Sequence, residues 1–151
     1  GRLSSESKLE IRGMLREVTE IESIGDSCYN LARTINRKRS GGNDFTAKQY
    51  EHIHQMMQLT SDALAHMIAV VEDDHHVVDV NKSFNIENEI NNYRAQLKNQ
   101  NVVDVNNKEY DYQMGVHYMD IIGECEKLGD YVVNVVEART NVKEKKTGDN
   151  R

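Results

Sequence analysis

Residues 20–33 read EIESIGDSCYNLAR, and residues 124–137 read ECEKLGDYVVNVVE. Laid over one another, they align Glu20 with Glu124, Glu22 with Glu126, Gly25 with Gly129, Asp26 with Asp130 and Asn30 with Asn134. The apolar positions between them match in kind: Ile24 with Leu128, Cys28 with Val132, Leu31 with Val135. Self-similarity at one fixed offset marks repeated structural units, here two equivalent helices of one domain. Each copy has the form Glu-x-x-Gly-Asp-x-x-x-Asn.

Outward from these segments the chain reads as helix. It has 151 residues, no proline and nine glycines, which favours long uninterrupted helices in one domain. Ser4 to Ser7 can cap a first helix, whose apolar positions Ile11, Met14, Val18, Ile21, Ile24, Cys28, Leu31 and Ile35 recur at helical spacing. It stops at Arg37-Lys38-Arg39 followed by Ser-Gly-Gly. Thr46-x-x-Gln49 is a capping box opening a second helix, with Ile53, Met57, Leu64 and Val71 on its stripe. The acidic run Glu72-Asp73-Asp74 suits the start of a helix better than its end, so a tight break is expected there.

A third helix is expected from about His75 to Asn101, with a register shift near Asn85 and a polar turn over Asn99–Asn107. A fourth is expected from about Lys108 to Thr140, striped by Met114, Tyr118, Ile121, Cys125, Leu128 and Val132. The fold class is therefore all-α, an antiparallel bundle of about four long helices over residues 3–140. Residues 141–151, NVKEKKTGDNR, carry too little apolar surface to pack and are expected to form a disordered tail.

Charge and cysteine content narrow the function. The formal charge of −6 disfavours nonspecific nucleic-acid binding. Cys28 and Cys125 fall on apolar stripes, so buried free thiols are expected rather than a disulfide. No signal peptide and no apolar run long enough for a membrane span is visible.

The duplicated motif points to cation chemistry. Glu22, Asp26 and Asn30 lie at i, i+4 and i+8 on one helix face, as do Glu126, Asp130 and Asn134. Carboxylates one turn apart rise only about 6 Å and can reach one ion; unpartnered, they repel. Gly25 and Gly129 each cost a helix about 1 kcal/mol relative to alanine, a cost understandable if another backbone approaches there. Asn30 and Asn134 can orient a carboxylate. A solvated acidic face beside packing glycines is the bland alternative, and the repetition weighs against it.

The phrase Ile21-Glu22-Ser23-Ile24-Gly25-Asp26, with Asn30 beyond it, resembles the signature of PhoU-like phosphate-uptake regulators, and Glu126, Leu128-Gly129-Asp130 and Asn134 resemble its second copy. The likeness is nearest to the cytoplasmic PhoU-like domain of bacterial sodium/phosphate cotransporters. It implies two three-helix repeats, of which this chain holds one motif helix and one complete repeat. It also implies metal ligands at Glu22, Asp26, Glu126 and Asp130, with iron or zinc as the metal, and adds Glu87 from the third helix. Asn91 stands where a second carboxylate of that helix is expected. Oxygen ligands alone would equally suit Mg or Mn.

The expected function is a non-enzymatic, metal-binding regulatory domain of phosphate uptake on the cytoplasmic side of the membrane. Its expected partners are the membrane part of the same polypeptide or a transport complex, or a second copy in a homodimer. A carboxylate-bridged metalloenzyme and a purely structural bundle remain alternatives. Glu51-x-x-His54 and Glu72-x-x-His75 resemble di-iron elements, but about 30 Å of helix would part them. His52, His66 and His117 read as helix-surface or boundary residues, His75-His76 as a solvated pair, and Arg33 to Arg39 as a solvated helix end.

Overall fold

A computed structural model describes residues 1–40 and 43–149, with side chains described except at 38–40 and 141–149. Four helices follow in order: α1 (Ser5–Ser40), α2 (Ala47–Val71), α3 (Asn81–Asn106) and α4 (Tyr112–Asp149). The expected disordered tail, 141–151, lies outside the residues whose side chains are described.

Local chemistry sets the boundaries. The Ser7 amide donates to Ser4 Oγ at 3.1 Å at the start of α1. The Thr46–Gln49 capping box forms in both directions. α3 begins later than the periodicity predicts, because Asp73 works as a loop clamp. Its carboxylate accepts the Val77 and Val78 amides at 3.1 and 2.9 Å, and His76 takes a left-handed φ of 57°. At the far end α3 runs through the expected turn to Asn106. It closes with the Lys108 amide on the Val105 carbonyl and the Glu109 amide on that of Asp104, Lys108 sitting at φ 60°. That pair of bonds is the Schellman arrangement.

Helix α4 is the hub. Ile121, Ile122, Leu128, Val132, Val133, Val135 and Val136 are all buried. Such doublets spread apolar surface round more than one face, so α4 needs several neighbours. It packs against α1, α2 and α3, α2 also packs against α3, and α1 touches α4 alone among the described helices. The all-α antiparallel architecture holds, with α2–α3–α4 as a three-helix unit and α1 laid along the outside of α4.

This placement corrects the reading of α1. Ile24 is buried and Leu31 and Ile35 half-buried, but Ile11, Met14, Leu15, Val18 and Ile21 are exposed, Met14 by 65% and Leu15 by 61%. The reason is polar pairing across the α1–α4 seam: Glu17 with Arg139 at 3.1 Å, Arg16 with Glu137 at 3.5 Å, Asn134 donating to Glu20 at 3.2 Å. These contacts turn a polar face of the first half of α1 inward and leave the apolar residues from Ile11 to Ile21 exposed.

Two further expectations are revised. Cys125 is fully buried but Cys28 is exposed, both thiols being free. His66 is buried, its Nδ1 lying 2.6 Å from Ser83 Oγ of α3, so it joins α2 to α3 rather than facing solvent. His52 is likewise engaged, its Nδ1 3.0 Å from the Tyr118 hydroxyl.

Candidate functional site

The two motif segments lie side by side and antiparallel on α1 and α4. Asn134 Nδ2 donates to Glu20 Oε2 at 3.2 Å. The equivalent residues at the opposite end of the crossing are Asn30 and Glu124, so the two segments are related by a local pseudo-twofold. There Glu124 instead accepts from Ser27 Oγ at 2.7 Å, with Lys127 at 3.4 Å. Glu20, Glu124 and Asn134 thus serve the seam between α1 and α4, whereas Asn30 is exposed.

The remaining carboxylates point elsewhere, because a step of two residues turns a helix by about 200°. On α4, Glu126 and Asp130 face α3. Glu126 lies 3.1 Å from Arg94 Nε, and Asp130 lies near enough to Glu87 to raise the titration of its carboxyl. Partial burial first, and then the acidic groups Asp130, Glu137 and Glu126, hold the Glu87 carboxyl above its ordinary range. Three of the expected ligands, Glu87, Glu126 and Asp130, are therefore brought to one face, with Glu137 beside them.

On α1 the counterparts Glu22 and Asp26 are exposed. The glycines show the same asymmetry. A Cβ built on Gly129 would stand 3.2 Å from Ile90 Cδ1 of α3, whereas one on Gly25 would meet nothing within 4 Å. Close approach explains Gly129. Gly25 lacks that reason among the described residues.

As a metal site the arrangement is partial. No three His, Cys, Asp or Glu side chains among the described residues are grouped to hold one ion. Chemically the carboxylates of the α3–α4 face suit a hard cation, and Glu87 keeps its proton beyond the usual range, through partial burial first and then through the neighbouring acidic groups. Glu22 and Asp26 offer two exposed carboxylates and no third. The Glu51/His54 and Glu72/His75 pairs likewise take part in no such group.

Comparison with protein families matches residues 53–138 to the PhoU domain. That span runs from the first turns of α2 into α4 and covers more than half of the chain. The chain belongs to the PhoU domain family. No curated protein and no solved structure matches it. The matched part of the PhoU domain is the α2–α3–α4 unit, and α1, with the first motif copy, lies before it. No helix among the described residues is long and apolar enough to cross a membrane.

Two cavities were not foreseen from the sequence. One, of about 410 Å³, lies in the groove between α1 and α3 over α4; Arg33, Arg37, Arg94, Gly123, Glu124 and Lys127 are among its lining residues. The other, of about 220 Å³, lies beside Gln49, His52, Tyr110 and Tyr118. Burial holds the Tyr118 hydroxyl protonated well above its usual range, and burial followed by the Lys48 charge keeps His52 below its own. The signal for the first cavity was available: the repeat breaks there, with Gly123 opposite Thr19 of the other copy, Lys127 opposite Ser23 and Arg33 opposite Glu137.

Proposed function

We propose that this PhoU domain is a non-enzymatic regulator of phosphate uptake whose α3–α4 face binds a metal ion through Glu87, Glu126 and Asp130. Family membership supports the phosphate-regulatory part. The observation that supports the metal is that Glu87 of α3 is held above its ordinary range by partial burial and then by the acidic groups Asp130, Glu137 and Glu126 of α4. A bound cation would add its charge to that of Arg94 beside Glu126, displace the Glu87 proton and tie α3 to α4. Its identity is proposed as iron or zinc from the motif resemblance, with Mg or Mn favoured by the oxygen ligands. Glu22 and Asp26 would form the equivalent site only with a further helix against α1. The domain is proposed to act at the cytoplasmic side of the membrane, on the transport part of the same polypeptide or of a complex.

The test is elemental analysis of protein purified without chelator, joined to melting curves with each metal added. Bound metal and a melting temperature that rises with it are expected for the wild type. Both are lost in Glu87→Gln/Asp130→Asn. Undiminished metal in that variant, or no thermal response to any of the four metals, removes the metal from the function.

A further inference from the structure

We propose that the groove floored by Gly123 and lined by Arg33, Arg37, Arg94 and Lys127 binds a tetrahedral oxyanion: inorganic phosphate, or the phosphate monoester of a headgroup. The site rests on side-chain chemistry alone. Only the choice of phosphate as its physiological ligand rests on the function proposed above.

Four cationic side chains meet in one groove of a protein whose formal charge is −6. Two carboxylates, Asp120 and Glu124, share the lining. Glu124 is engaged by Ser27 and Lys127, and Arg94 is engaged by Glu126. That leaves Arg33 and Arg37, one turn apart on α1, facing the groove. Arg33 lies 5.7 Å over the Tyr29 ring, a contact through the ring face that consumes none of its N–H groups. Two guanidiniums at this spacing present planar forks suited to bidentate oxyanion recognition.

A helix end attracts basic residues, but that accounts for only part of the arrangement. Arg37 stands in the last turn of α1, whereas Arg33 stands about two turns before Ser40, beyond the reach of the helix dipole. Comparison of the two motif copies is more telling. At the other end of the pseudo-twofold, the place of Arg33 is taken by Glu137, which pairs with Arg16 at 3.5 Å. Thr19 and Ser23 stand there where Gly123 and Lys127 stand here. A Cβ on Gly123 would meet nothing within 4 Å, so the floor of the groove is open there. One end of the seam carries an ion pair. Its mate has opened and gathered positive charge.

Isothermal titration with inorganic phosphate at fixed ionic strength tests this, using wild type, Arg33→Gln/Arg37→Gln, and Arg2→Gln/Arg12→Gln as a control that removes equal charge elsewhere. Wild type and control should bind alike, and the Arg33/Arg37 variant about tenfold more weakly or not at all, with melting curves confirming that each is folded. Sulfate and vesicles of phosphatidylcholine with and without phosphatidic acid form the other arms. Binding confined to phosphatidic acid vesicles and dependent on Arg33 and Arg37 assigns the same site to a headgroup. Equal binding of sulfate and phosphate upholds the groove while counting against phosphate uptake as its purpose. Phosphate binding that survives Arg33→Gln/Arg37→Gln overturns the proposal, as does a wild type that responds to none of the probes.

Discussion

Asn134 of α4 donates to the Glu20 carboxylate of α1 across 3.2 Å, joining the last position of one motif copy to the first of the other. The bond is part-buried and belongs to a seam whose other polar members are two ion pairs and the Ser27–Glu124 hydrogen bond, so it helps choose which face of α1 turns inward. Asn134→Ala removes the donor and is expected to cost about 1 kcal/mol in urea denaturation, the net worth of such a bond when partly exposed. Asn30→Ala, the same change at the exposed counterpart, should cost far less. Equal losses would show that the two ends of the crossing are energetically alike.

The motif glycines should separate in sign. Gly25→Ala places a methyl in open space and recovers helix propensity, a gain of about 0.5–1 kcal/mol. Gly129→Ala sets the same methyl 3.2 Å from Ile90 Cδ1, and Ile90 is fully buried and hemmed in. Its propensity gain is offset by crowding, so it should be the less stable variant by about 1 kcal/mol or more. Denaturation midpoints of the two variants decide. A Gly25→Ala protein that loses stability would mean that another surface covers α1 in solution.

The helical class and the motif were legible because periodicity, the absence of proline and an in-register repeat all act locally along the chain. The Thr46–Gln49 box could be read for the same reason. The orientation of α1 could not. Its stripe of Ile11, Met14, Val18 and Ile21 satisfies every rule for a core-facing helix, yet polar partners on α4 hold a neighbouring face inward. Nor could Asp73 be read as a clamp on Val77 and Val78, since its charge alone suggests a helix start. Of the expected ligands, Glu87, Glu126 and Asp130 come together because α3 lies against Gly129. Glu22 and Asp26 have no such neighbour. Arg94 and Lys127 escaped notice because the groove they line is made by three helices and belongs to no single segment.

Glu87 should leave a mark on the pH dependence of stability. Its folded-state carboxyl titrates above the ordinary value of 4.5, through partial burial first, then the neighbouring acidic groups Asp130, Glu137 and Glu126. The folded state therefore holds this proton more tightly than the unfolded chain does. Stability linked to Glu87 is greatest below 4.5 and declines as pH rises from there through the raised value. Glu87→Gln keeps a group that can bond Asp130 and removes the titration. Measured in chelator, the variant should match the wild type in acid and exceed it in stability at neutral pH. Parallel curves for the two proteins across this range would exclude a role for Glu87.

The two thiols provide a test of the helix placement itself. Cys125 lies at the centre of α4 with no exposed surface, and burial pushes its thiol up to about 11. Cys28 is exposed on α1, although both residues occupy apolar positions of their helices. A disulfide reagent at neutral pH should label Cys28 in the native protein at the rate of an accessible thiol, and reach Cys125 only through unfolding. Cys28→Ser should accordingly abolish the fast phase and leave a slow one that accelerates in denaturant. Two fast thiols would mean that α1 or its neighbours leave α4 uncovered. None would mean that something in solution, such as a second copy, covers the outward face of α1.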